Sequence, residues 1–100
     1  MTDKQFNDAF TSVGGWFFLK YFEIIYNWRR TRSELIDQLY LEGFDAKRIG
    51  TQTRVNNAIR LIENHKGKDA LLKIRESSRI NNEHPEARSL ADSLISKYYP

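Results

Sequence analysis

The hydrophobic positions of this chain recur mostly at spacings of three and four residues, the period of an amphipathic helix. Near the N-terminus, Thr2 and Gln5 have the spacing of a capping box, and the apolar pattern that follows stops at Gly14-Gly15. A first helix is therefore predicted between these two signals. Its inward-facing residues are Phe6, Ala9, Phe10 and Val13.

The second segment, residues 16–28, is the most apolar part of the sequence. Its polar residues Lys20, Glu23 and Asn27 are spaced by three and four positions, which predicts a helix with one narrow solvent-facing stripe. Such a helix belongs at the centre of a bundle, or it packs one side on the core and the other on a partner protein. In the second case, aromatic anchors would form the interface. These candidates are Trp16, Phe17, Tyr21 and Trp28.

A third helix and the segment after it are predicted from a second set of capping signals. Thr31 precedes Glu34 by three positions, as in a capping box, and Gly43 suits the C-terminal cap of that helix. A short helical turn over residues 45–50 is predicted next, followed by a helix from Thr51 to about residue 65. The inward-facing residues of the third helix are Leu35, Ile36, Leu39 and Tyr40.

Two further helices complete the predicted fold. Gly67 ends the preceding helix, and residues 68–78 then carry Ala70, Leu71 and Ile74 at helical spacing. The last helix begins with Pro85 at its first position and keeps one apolar face to the C-terminus. No segment alternates as a strand does. The pattern predicts an all-α fold, a compact bundle of five or six helices that forms a single domain over residues 1–100.

Composition narrows the functional classes. A chain of 100 residues with 40% hydrophobic side chains can bury one core. The absence of cysteine excludes disulfides and thiolate ligands, and the two histidines lack neighbouring carboxylates, so neither a metal nor a cofactor is expected. The N-terminus does not resemble a signal peptide, and the longest apolar stretch is interrupted by polar residues. We therefore expect a cytoplasmic protein that does not enter a membrane.

Charge is unevenly distributed along the chain. Basic and acidic side chains balance over residues 1–50, whereas residues 47–79 contain nine basic side chains and only three acidic ones. A local surplus of this kind attracts a phosphate backbone, although an ordinary solvated basic face has the same composition. The nine basic residues are Lys47, Arg48, Arg54, Arg60, Lys66, Lys68, Lys73, Arg75 and Arg79.

The helix predicted from Thr51 has an apolar side, formed by Val55, Ala58, Ile59 and Ile62, and a side rich in amides opposite it. Asparagine and glutamine pair with adenine and arginine pairs with guanine, whereas a merely solvated helix face seldom carries several asparagines, which are poor helix formers. This side therefore predicts contact with nucleic acid. Together with the flanking basic residues, the candidates are Lys47, Arg48, Gln52, Thr53, Arg54, Asn56, Asn57, Arg60, Lys66 and Lys68.

The stretch ELIDQLYLEGFDAKRIGTQTRVNNAIRLIE, which begins at residue 34, resembles the helix-turn-helix DNA-binding domains. It has a first helix, a glycine, a short second helix that ends at Ile49-Gly50, and a third helix that begins at Thr51. In that family the last helix enters the major groove. The resemblance implies a small DNA-binding protein, such as a transcriptional regulator or a phage or mobile-element protein, that binds DNA in preference to RNA and forms a dimer.

Two other classes of function remain open. The pairs Arg60 and His65, and Arg79 and His84, both have Arg-x4-His spacing, which is similar to the motif of the HEPN-type ribonucleases. Histidine can transfer protons near neutral pH and arginine can stabilise an anionic transition state, but a histidine at a helix C-terminus also has a structural explanation. Catalysis is the less favoured hypothesis. The other alternative is a protein-interaction module or inhibitor that uses the aromatic helix 16–28.

Overall fold

The computed structural model covers all 100 residues and contains seven α-helices and no strand, which confirms the all-α prediction. The helices pack into a body of 30 × 28 × 27 Å. No helix has both the length and the apolar character that crossing a membrane requires. The helices are α1 (Asp3–Val13), α2 (Gly15–Tyr26), α3 (Arg32–Tyr40), α4 (Arg48–Glu63), α5 (Gly67–Arg75), α6 (Ser78–Glu83) and α7 (Ala87–Tyr98).

Helix α2 lies at the centre of the core, as its apolar pattern predicted. The side chains of Phe17, Phe18 and Phe22 are inaccessible to solvent, and α1, α4, α5 and α7 pack around this helix. Phe17 was also a candidate for a protein interface, as was Tyr21, but both are buried. Their burial removes them from the accessible surface, because the bundle covers the aromatic sides of α2.

The predicted capping box at the N-terminus is present. The hydroxyl oxygen of Thr2 accepts a hydrogen bond from the backbone of Gln5, and the side chain of Gln5 accepts one from the backbone of Thr2. Gly14, at φ 82°, turns the chain between α1 and α2. The glycine pair ends α1 as predicted, but Gly15 already begins α2. A Cβ on Gly15 would meet the end of the Ile80 side chain, so glycine lets α2 and α6 pack closely there.

Helix α4 begins three residues earlier than the pattern predicted. Arg48 to Gly50 form its first turn, and the separate helix expected over residues 45–50 is absent. The carboxylate of Asp45 accepts hydrogen bonds from the Thr51 hydroxyl and from Arg54, which hold the preceding chain against the side of α4 instead. The helix-turn-helix unit is thus not confirmed, because its short second helix has merged into α4.

The buried side of α4 also differs from the prediction. Ile59 and Ile62 are only partly buried, whereas Thr51 and Leu61 are inaccessible to solvent. Helix α4 packs against α1, α2 and α3, so its core contact is broader than a single stripe. The fully buried residues of this helix are Thr51, Val55, Ala58 and Leu61.

The end of α4 is closed by His65 rather than by Gly67. His65 has φ 59°, its N–H donates to the Ile62 carbonyl oxygen, and the N–H of Lys66 donates to that of Leu61 at 2.8 Å. These two bonds form a Schellman motif with a histidine at the left-handed position. Gly67 instead begins α5, where a Cβ would meet the hydroxyl end of the Tyr99 side chain.

The C-terminal third contains one helix that the pattern did not indicate. Helix α6 is capped by Ser77, whose hydroxyl oxygen accepts a hydrogen bond from the backbone of Ile80, and Ile80 joins the core. The last helix begins at Ala87, two residues after the predicted start. The reason is that Pro85 lies in a turn, in which the N–H of Ala87 donates to the carbonyl oxygen of His84.

Candidate nucleic-acid interface

A polar groove runs between α3 and α4. It consists of two adjoining cavities of about 360 and 310 Å³, which share Arg32 and Asn56. We call it the α3–α4 groove. Its first half is lined by Arg32, Ser33, Ile36, Arg48, Gln52 and Asn56. Its second half adds Ile59, Arg60, Glu63 and Asn64.

Three arginines reach this groove from two helices. Arg48 donates from Nε to Asp37 at 2.6 Å, and Arg32 lies 3.6 Å from Glu63, so both guanidinium groups are held in place while remaining partly exposed. Arg60 is exposed and makes no ion pair or side-chain hydrogen bond. The groove therefore combines two positioned guanidinium groups with one that is free.

Two carboxamides in the groove keep their donors available. The side-chain oxygen of Asn56 accepts a hydrogen bond from Arg32, and that of Gln52 accepts one from Arg48. Neither NH₂ group has a partner within the protein. Asn57 and Asn64 behave differently, because each donates to the backbone carbonyl four residues earlier in α4. Their presence in the helix thus has a local explanation that requires no ligand.

Arg54 does not belong to this groove, although the sequence placed it among the candidate contacts. Its Nε lies 3.0 Å from Asp45 Oδ1, and its Nη1 donates to the Val13 carbonyl oxygen at 2.6 Å. The guanidinium group also covers the ring of Phe44. The side chains of Arg54 and Asp45 are 27% and 12% exposed. Arg54 therefore joins α1, α4 and the chain before α4. The Thr53 hydroxyl likewise donates to a carbonyl of its own helix, that of Ile49.

Sequence reasoning missed the contribution of α3 to the groove. Arg32 and Ser33 come from its first turn, whereas the candidates were chosen from α4 and its flanks. One signal was available, because a basic residue in the first turn of a helix opposes the helix dipole. Glu63 of α4 was missed because its contact with Arg32 depends on the packing of α3 against α4.

The basic segment 47–79 does not form a single positive patch. Asp37, Asp45 and Asp92, all outside the segment, pair with three of its arginines and so offset part of the local surplus. Within the segment, Lys66 lies 3.6 Å from Asp69. The basic residues of the segment without an ion pair are Lys47, Arg60, Lys68, Lys73 and Arg79.

The two Arg-x4-His pairs occupy different environments. His84 stacks on Trp16, with ring centroids 3.8 Å apart and planes inclined by 3°. His65 is exposed at the end of α4. Neither imidazole forms a side-chain hydrogen bond, and no group of three or more histidine or acidic side chains is placed to hold a metal ion. No contact brings the two pairs together.

The tryptophans considered for a protein interface lie at the edges of the core. Trp16 is covered by His84, and Trp28 Nε1 donates to the Thr31 carbonyl oxygen at 2.8 Å.

Comparison of the chain with protein families, with characterised proteins and with solved structures found no match. The α3–α4 groove is therefore the feature from which a function can be inferred.

Proposed function

We propose that this protein binds nucleic acid, with duplex DNA as its preferred ligand, through the α3–α4 groove and the exposed side of α4. The observation that carries this proposal is the convergence of Arg32, Arg48 and Arg60 on one groove that also presents two free carboxamide donors. Guanidinium groups bind phosphate oxygens in a bidentate manner, and carboxamides can pair with base edges.

The positions of the arginines favour contact with a phosphate backbone. Asp37 and Glu63 orient Arg48 and Arg32 without covering them, so little side-chain entropy is lost when a phosphate binds. These carboxylates also reduce the positive potential of the groove. Arg60, which has no acidic partner, is for this reason the side chain that contributes most to the attraction of phosphate.

The exposed side of α4 supports a duplex as the ligand. Gln52, Asn56 and Arg60 follow one another at spacings of four along α4, a helix of 16 residues that is about 24 Å long. A single helix of this kind fits the major groove of DNA. No aromatic side chain lines the α3–α4 groove, whereas proteins that bind single strands commonly stack bases on aromatic rings.

Fluorescence anisotropy titrations with duplex DNA and with single-stranded RNA, each at about 50 and 200 mM salt, test the proposal. Binding to the duplex should weaken steeply at the higher salt concentration. Arg60→Ala should weaken binding and make its salt dependence shallower, with a slope reduced by about 1. Arg88→Ala is the matched control, because Arg88 is also exposed and unpaired but lies on α7. Equal losses in the two variants, or no binding, would contradict a specific groove.

Two further variants separate base contacts from phosphate contacts. Asn56→Ala should relax the preference for a base at one position, because its free NH₂ group lies in the groove. Lys68→Ala should weaken all sequences alike if this exposed lysine contacts a phosphate. Asn57→Ala should leave binding unchanged, since the Asn57 amide is bonded to its own helix. Loss of binding in the Asn57 variant alone would place the ligand on a different side of α4.

A further inference from the structure

The two carboxamides in the first half of the α3–α4 groove, those of Gln52 and Asn56, are each oriented by an arginine. Arg48 Nη1 donates to Gln52 Oε1 at 3.4 Å, and Arg32 Nη1 donates to Asn56 Oδ1 at 3.3 Å. A guanidinium group has donors and no acceptor, so the oxygen of each carboxamide must face the arginine. The NH₂ group of each carboxamide is therefore left to bind a ligand.

A carboxylate holds each of these arginines in turn. Asp37 Oδ1 lies 2.6 Å from Arg48 Nε, and Arg48 Nη2 also donates to the Ser33 hydroxyl oxygen. Glu63 Oε1 lies 3.6 Å from Arg32 Nη2. The groove thus contains two chains of the same kind, each of carboxylate, arginine and carboxamide. Rotation of either amide would set its NH₂ group against a guanidinium group, so both orientations are fixed before a ligand binds.

The polar groups that line the first half of the groove consequently offer hydrogen-bond donors. Its lining contains no carboxylate, and the side-chain oxygens of Ser33, Gln52 and Asn56 all accept from arginines. The other side-chain acceptors of the groove, the Glu63 carboxylate and the Asn64 amide oxygen, lie in the second half. A ligand group that enters the first half must therefore supply acceptors.

The two purines differ in what they offer to such donors in the major groove. Guanine presents two acceptors there, N7 and O6, whereas adenine presents one acceptor beside its N6 amino group. The usual pairing of a carboxamide with adenine requires the carboxamide oxygen to accept from that amino group. In Gln52 and Asn56 this oxygen already accepts from an arginine, so adenine loses one of its two bonds. Guanine loses none, because an NH₂ group meets only acceptors on it.

We propose that Gln52 and Asn56 select guanine over adenine in the major groove, with Arg48 and Arg32 as the positioning residues that set this preference. The two carboxamides are four positions apart on α4, about 6 Å along its axis. Successive base pairs are about 3.4 Å apart, so each carboxamide meets a different base pair. This base preference rests on the duplex binding proposed above and specifies what the same groove reads.

Anisotropy titrations with three duplexes of equal length, built from alternating A·T, G·C or inosine·C pairs, test the preference. Inosine keeps the N7 and O6 of guanine but lacks its N2 amino group, so an inosine·C pair resembles G·C in the major groove and A·T in the minor groove. The G·C and inosine·C duplexes should bind about tenfold more tightly than the A·T duplex. Replacement of guanine by 7-deazaguanine, which lacks N7, should remove much of this advantage.

The ratio of the affinities for G·C and A·T separates the positioning role of Arg32 from a general loss of binding. Arg32→Leu frees the Asn56 oxygen to accept from adenine, so the ratio should fall. In an Asn56→Ala background the same substitution should leave the ratio unchanged. Lys68→Ala is the matched control, because this lysine lies outside the groove lining. It should weaken the binding of both duplexes alike and keep the ratio.

The outcomes distinguish a failure of the base preference from a failure of duplex binding. Equal affinity for the three duplexes would mean that the groove contacts phosphates alone, and would overturn the preference while duplex binding stands. Tighter binding of A·T, weak binding of inosine·C, or an unchanged ratio in Arg32→Leu would overturn it in the same way. Failure to bind any duplex would overturn both proposals.

Discussion

Replacement of Arg54 by alanine should lower the free energy of unfolding by about 3 kcal/mol. The substitution removes the hydrogen bonds from Arg54 to the Asp45 carboxylate and to the Val13 carbonyl oxygen, together with the guanidinium group that covers Phe44. It also leaves the Asp45 carboxylate with the Thr51 hydroxyl as its one side-chain donor.

The magnitude follows from the burial of the ion pair. Removing one partner of a fully buried pair costs about 3–5 kcal/mol. Here Asp45 is 12% exposed and Arg54 is 27% exposed, so water can reach part of the carboxylate and the lower end of that range applies. Loss of the contact with Phe44 adds about 0.5–1 kcal/mol. For a domain of this size, a loss of about 3 kcal/mol lowers the melting temperature by about 12–24 °C.

Urea denaturation and thermal melting, followed by circular dichroism, measure this loss. Arg54→Lys keeps the charge but not the planar group, so it should recover only part of the stability. The double variant Asp45→Asn/Arg54→Ala should lose less than the sum of the two single losses. A change within about 0.5 kcal/mol in Arg54→Ala would refute the structural role. Impaired DNA binding at unchanged stability would indicate that Arg54 contacts the ligand.

Two other predictions concern the ends of α4 and α7. His65→Gly should raise the free energy of unfolding, measured by urea denaturation, by about 0.5–1 kcal/mol, because glycine tolerates the left-handed φ of 59°. A lower free energy of unfolding in this variant would contradict the Schellman assignment. Hydrogen bonds from Lys97 and Tyr98 lower the pKa of Glu23, so their stabilisation is present above the unfolded-state pKa and is lost as the pH falls through the folded-state value. Glu23→Gln should therefore lower the free energy of unfolding at neutral pH but not in acid. Glu83 is exposed and unpaired, so Glu83→Gln, the control, should show no such difference. A loss of stability in Glu23→Gln that persists in acid would refute this role of Glu23.

The sequence by itself determined most of the helices, although not α6, and which helix is central. Helical hydrogen bonds and capping bonds join residues three or four positions apart, so their signals are local. Thr2 with Gln5 is an example, and the hydroxyl of Thr31 likewise accepts a bond from the backbone of Glu34. The central position of α2 was also readable, since an apolar surface of that breadth must be covered by neighbours.

The tertiary structure decided where α4 begins and which of its polar side chains are available. Asp45 and Arg54 are nine positions apart, and Arg54 reaches Val13 across 41 positions, so no local spacing predicts their contact. Part of the surplus charge of the basic segment is likewise offset by carboxylates such as Asp92, which the fold brings to it from elsewhere. The spacing of apolar residues in a helix predicts which of its sides is apolar. Whether a polar residue on it binds a ligand or a neighbouring segment depends on elements distant in the chain, which only packing brings together.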